Sequence, residues 1–129
     1  MRGYMKILLA EDDINISKIA KMTLEHFQGH DVHVVHDGAE ALEKALTNEY
    51  DLILLDEMMP KLNGVSVCIS YKEQSTAPIK PIIFLSAKSQ QDQVSEFTKH
   101  GLGFIPKPFD PQTLWQEIEN ILKDKGFSE

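Results

Sequence analysis

Residues 52–60 read LILLDEMMP, four apolar residues running straight into two acids, Asp56 and Glu57. A run apolar on both faces is the mark of a strand covered by helices on both sides of a parallel sheet. Such a strand holds whatever follows it rigidly at the edge of the sheet. Carboxylates delivered there by a buried strand require a chemical reason.

Outward from this stretch, short apolar runs alternate with amphipathic ones. KILLA (6–10), VHVV (32–35), LILL (52–55), IIFL (82–85) and GFI (103–105) read as five strands. Between them, apolar residues recur at helical spacing. Ile16, Ile19, Ala20, Thr23, Leu24 and Phe27 form one stripe, and Ala41, Leu42, Ala45 and Leu46 a second. Val65, Cys68 and Ile69 mark a third helix, Val94 and Phe97 a fourth, and Leu114, Ile118, Ile121 and Leu122 the last. Asp110 is expected to cap that last helix, with Pro111 at its first position, where the missing N–H costs nothing. Five strands alternating with five helices predict an α/β fold: a doubly wound five-stranded parallel sheet with helices on both faces. The second strand, interrupted by His33, is expected near an edge. Residues 1–129 read as a single domain with its core at about 6–124.

Composition narrows the function. With 13 basic against 20 acidic residues the net charge is −7, which argues against direct nucleic-acid binding and against docking on anionic lipid. No apolar run approaches the ~18 residues of a membrane span, and MRGYMK does not read as a secretory signal. Cys68 is the one cysteine, so no internal disulfide forms, in keeping with a reducing cytoplasm.

In doubly wound sheets, ligands bind beyond the carboxyl ends of the strands. Glu11, Asp12 and Asp13 follow the first strand, and Asp56 and Glu57 the third. Ser86, Ala87 and Lys88 follow the fourth, and Pro106, Lys107 and Pro108 the fifth. Carboxylates gathered from two strand ends repel unless a cation separates them, and oxygen ligands with few protein contacts suit Mg2+. A lysine can pair with a carboxylate or with a phosphoryl group on it. Aspartate can itself be a nucleophile that forms an aspartyl phosphate.

The segments ILLAEDD, DLILLDEMMPKLNG, IIFLSA and GFIPKPF resemble, in order and spacing, the signature segments of response-regulator receiver domains. The resemblance covers about residues 6 to 124 and implies a flavodoxin-like fold. It implies that Asp56 is the phosphoacceptor, and that Glu11 and Asp12 are the acidic pair, with Asp12 the direct Mg2+ ligand. The backbone carbonyl of Met58 becomes a further ligand. Ser86 takes the place of the switch hydroxyl, Lys107 that of the lysine pairing with the phosphoryl group, and Phe104 that of the aromatic rotamer switch. Lys107–Pro108 falls where the family has a cis peptide. Two positions depart from common family usage: Ser86 stands where threonine is common, and Phe104 lacks the phenolic OH of tyrosine. Glu57 is expected to add charge at the mouth of the site.

Single features have plainer explanations. Asp13 reads as the cap of the first helix, Cys68 as a small buried hydrophobe, and Phe97, Phe104 and Trp115 as core. His30, His33 and His36 alternate in direction around a strand and cannot converge on one metal. Together with His26 and His100 they are expected to be solvated or at a strand edge.

The resemblance implies a cytoplasmic phosphorylation-dependent switch of a two-component or phosphorelay system, acting without enzyme turnover of its own beyond self-directed phosphotransfer and dephosphorylation. Its phosphoryl donor would be a sensor histidine kinase or a histidine phosphotransfer protein. Its output would be a downstream protein, met through the face of the fourth helix, fifth strand and fifth helix, which can also serve for homodimerisation. It could stand alone or form part of a longer protein. Two alternatives differ in class. One is a pseudo-receiver that only binds partners, disfavoured by retention of the acids, Ser86 and Lys107. The other is a Mg2+-dependent aspartyl-phosphate phosphatase, disfavoured because Met58 stands where such enzymes place a second acid.

Overall fold

A computed structural model of the chain describes residues 4–87 and 99–126. Five parallel strands, β1 (Lys6–Ala10), β2 (Asp31–Val35), β3 (Leu52–Asp56), β4 (Ile82–Ser86) and β5 (Gly103–Pro106), form one sheet in the order β2-β1-β3-β4-β5. The expected central strand, β3, is buried at every position, and β2 is an edge strand.

Helices α1 (Ile14–Met22), α2 (Gly38–Thr47) and α3 (Gly64–Gln74), and a C-terminal helix (Leu114–Asp124), cover the sheet. Alternation along the strands divides the core in two. Leu9, Leu54 and Ile83 pack with Ala20 and Leu24 of the first helical segment and with Leu114 and Ile118 of the C-terminal helix. Leu8, Ile53 and Phe84 face the other way, onto Ala41 of α2 and Val67 and Tyr71 of α3. The sheet is therefore doubly wound, as the alternation of patterns predicts. The fourth helix expected at Val94 and Phe97, and Lys88, lie outside the described residues.

Several local expectations are corrected. In α1, Ser17 and Ala20 are buried, whereas Ile19 is 41% exposed and Phe27 70% exposed. Ser17 is buried at little cost because its hydroxyl donates to the carbonyl of Ile14 at 2.9 Å. After Met22 the helix widens into a π-helical turn (Thr23–Phe27), which breaks the 3.6-residue period and swings Phe27 outward. In α3 the inward stripe is Gly64, Val67, Cys68 and Tyr71, with Ile69 at the surface. Asp110 does not cap the last helix. Its carboxylate accepts from the N–H of Gln112, and its carbonyl from that of Thr113, making a turn that ends where the helix begins. Asp13 does cap α1, accepting from the N–H groups of Asn15 and Ile16.

His30 is also corrected: it is buried, not solvated. Its Nδ1 accepts from the N–H of Met5 at 3.0 Å, and its ring tilts against Trp115 with centroids 4.3 Å apart. Burial against the indole moves the imidazole pKa down. The outer edge of β2 is blocked at one point. Glu25 accepts from the N–H of Val32 at 3.0 Å, while Lys21 donates to its carbonyl at 2.6 Å.

Candidate functional site

Because β2 lies on one side of β1 and β3 on the other, the order in which successive strands are added to the sheet reverses between β1 and β3. That is the topological switch point, where a crevice opens at the carboxyl ends of the strands. Glu11 and Asp12 follow β1 there, and Asp56 is the last residue of β3. Oxygen atoms of Glu11, Asp12 and Asp56 lie within 4.8 Å of one another. Glu11 and Asp56 are buried and Asp12 is exposed.

Lys107, the first residue after β5, reaches both buried acids. Its Nζ stands 2.9 Å from Glu11 Oε1 and 3.0 Å from Asp56 Oδ1. The backbone supports this reach: the N–H of Lys107 donates to the carbonyl of Ser86 at 2.8 Å. The Lys107–Pro108 peptide is cis. Ser86 ends β4 and is fully buried, one step beyond Leu85, the register partner of Asp56. Phe104 pairs in register with Phe84 and is partly buried against the same core cluster. Met58 lies in the loop after β3 with its side chain largely exposed, and Glu57 is half-buried beside Asp56.

Electrostatics sharpen the picture. Two carboxyls and one ammonium leave the buried cluster one charge negative when both acids ionise. Burial, then the hydrogen bond and repulsion from Glu11, raise the Asp56 pKa to about 7 against the opposing pull of Lys107. Burial works against the Lys107 charge, but Glu11 and Asp56 outweigh it and raise the Lys107 pKa. The cluster therefore has room for one more positive charge. Its donors, carboxylate oxygens from two strand ends, are those a hard divalent cation prefers.

Sequence reasoning missed what braces this cluster. His36, just past β2, has Nδ1 2.9 Å from the carbonyl of Glu11. Gly64 donates its N–H to the carbonyl of Glu57, and a Cβ there would fall 2.5 Å from the carbonyl of Asp56. Gly38 donates to the carbonyl of Pro60 at 3.0 Å. None of these contacts has a local signal beyond the Asp-Gly and Asn-Gly pairs that open α2 and α3.

Residues 7–119 match the family model of the response regulator receiver domain. The chain belongs to that family. It is 40% identical over 119 residues to the response regulator ArlR of Staphylococcus saprophyticus, covering 92% of this chain and 52% of the relative. The Staphylococcus aureus (strain Mu50) ArlR is 36% identical over the same shares. The chain thus spans about half the length of the curated relatives it matches. Among solved structures, the receiver domain of Francisella response regulator 1452 aligns with a TM-score of 0.76 at 34% identity, over 94% of this chain and 98% of that one. The chemotaxis response regulator CheY4 of Vibrio cholerae aligns with a TM-score of 0.82 at 30% identity, over 91% and 98%. The flavodoxin-like receiver fold expected from the resemblance is the one observed. As a receiver domain of the two-component class the chain is a signalling domain. Among the described residues, no helix is long and apolar enough to cross a membrane.

Proposed function

We propose that this receiver domain is a phosphorylation switch in which Asp56 accepts the phosphoryl group. The observation that carries this reading is the convergence of Asp56, Glu11 and Lys107 in one buried cluster at the switch point of the sheet. A carboxylate oxygen of Asp56 attacks the phosphorus of a phosphohistidine on a histidine kinase or histidine phosphotransfer protein. The P–N bond breaks with its electron pair left on nitrogen, and the imidazole, already protonated on its other ring nitrogen, departs neutral, leaving an acyl phosphate on Asp56.

Glu11, Asp12, Asp56 and the carbonyl of Met58 would hold Mg2+, with Asp12 the direct ligand of the acidic pair. When bound, Mg2+ supplies positive charge against that of the carboxylates and the phosphoryl oxygens. Lys107 exchanges its contact with Asp56 for one with a phosphoryl oxygen, and the Ser86 hydroxyl donates to another. Phe104 follows Ser86 inward. The population then shifts toward a state in which the face containing β5 and the C-terminal helix presents a different surface to a downstream protein or to a second copy. Glu57 tunes the lifetime of the phosphoryl group through its charge at the mouth. Residues 6–124 act as one receiver unit in the cytoplasm.

The test is incubation with Mg2+ and a small acyl phosphate. The expected result is an acid-stable, base-labile mass gain of one phosphoryl group that is absent in Asp56→Asn. No gain in the wild-type chain would leave a partner-binding module without a phosphoryl switch.

A further inference from the structure

The edge strand β2 does more than close the sheet. Its last residue, Val35, accepts from the N–H of Glu11 at 3.0 Å, and the next, His36, lies with Nδ1 2.9 Å from the carbonyl of the same residue. Both sides of the Glu11 backbone are thus held from consecutive positions. A carbonyl oxygen can only accept, so His36 Nδ1 carries the hydrogen. Two residues further on, the chain grips the other acid-bearing loop. Gly38 donates to Pro60, and a Cβ on Gly38 would lie 2.0 Å from the carbonyl oxygen of Leu62. Asp37 caps α2 and stands 3.5 Å from Nζ of Lys61, whose backbone is in the left-handed region at φ 74. Residues 35–38 therefore touch both loops that bring carboxylates to the cluster.

We infer that His36 is a positioning residue for the acidic cluster: its Nδ1–H fixes the Glu11 peptide, and through it the placing of Glu11 and Asp12 opposite Asp56. This rests on the proposed metal-binding role of those acids. A residue that orients a ligand from behind changes metal affinity by about 10–100-fold when lost, without touching the ion. Asparagine can present its amide nitrogen where Nδ1 stands. Glutamine, one methylene longer, cannot present it from the same place.

The test begins with the metal-free wild-type chain. Nitrogen NMR of His36 should show a hydrogen on Nδ1, and exchange of the Glu11 amide should quicken in His36→Ala. Mg2+ titration should then show a Kd raised about tenfold in His36→Ala, restored in His36→Asn and not in His36→Gln. The inference is overturned by a ring with no hydrogen on Nδ1, by unchanged Glu11 exchange, or by equal Mg2+ affinity in His36→Ala and the wild-type chain. It is overturned equally if glutamine restores binding as well as asparagine. A wild-type chain that binds no Mg2+ sinks the functional reading instead, and the metal-free measurements still decide whether His36 holds Glu11.

Discussion

Lys107 Nζ meets Asp56 Oδ1 at 3.0 Å although their strands, β5 and β3, are separated by the whole of β4. The contact spans the sheet's edge, and the same nitrogen also holds Glu11. Replacing the lysine leaves two buried carboxyls facing each other with no counter-charge. Lys107→Met should therefore lower stability by about 1–3 kcal/mol at neutral pH, read by urea denaturation. Lys107→Arg should not restore phosphoryl uptake, because a planar guanidinium cannot stand in for a compact ammonium between two acids. Full uptake by the arginine variant would contradict the proposed role of the contact.

Asp56 should be a stability liability. Its pKa is raised in the fold, to about 7, from an unfolded value near 3.9. The native state thus binds the proton more tightly, and folding stability falls as pH rises from about 4 to about 7. Asp56→Asn removes that penalty. Its melting temperature should exceed that of the wild-type chain by several degrees at pH 8, and the two should converge near pH 4. A variant less stable at pH 8 would show that burial of the carboxylate is not costly.

His30 titrates in the opposite sense. Burial lowers its folded pKa below the unfolded value near 6.5, so the neutral ring stabilises the fold above that pH. That stabilisation is lost as pH falls below about 6.5. Urea unfolding is best followed in the Asp56→Asn background, where the opposing titration is gone. Trp115, the chain's one tryptophan and the ring partner of His30, reports the transition by fluorescence. The midpoint should drop between pH 7.5 and 5.5, and much less in His30→Asn. A drop of equal size in both would assign it elsewhere.

Gly64 allows α3 to start directly beneath the end of β3. A methyl there would meet the Asp56 carbonyl at 2.5 Å, a backbone atom that cannot swing aside. Gly64→Ala should cost about 1–3 kcal/mol and slow uptake from acyl phosphate more than the loss of stability explains. Matched denaturation and phosphorylation measurements separate the two effects.

The fold was legible because each strand end announces itself. LILL before Asp56, IIFL before Ser86 and KILLA before Glu11 need only local pattern to be placed. The acids and Lys107 could be brought together because parallel strands put all their carboxyl ends on one edge. What stayed hidden depends on contacts between distant segments. The imidazole of His36 meets a carbonyl 25 residues away, and no periodicity encodes that. His30 looks like a loop histidine until Met5 and Trp115 close over it. Ser17 and Ile19 exchange their expected places because a serine satisfied within its own turn can face the core. Asp110 has the right type for a cap but lies one turn too early.

The side chains of Lys21 and Glu25 on Val32 carry a consequence for assembly. An extended segment aligning along β2 would need the Val32 N–H and carbonyl, and both are already engaged by charged side chains. Displacing them would strand a lysine and a glutamate against a backbone now claimed by another chain. Sheet growth is thus discouraged at that flank. Glu25→Ala, by freeing the N–H, should make the chain more prone to edge-to-edge association at high concentration, which light scattering would register.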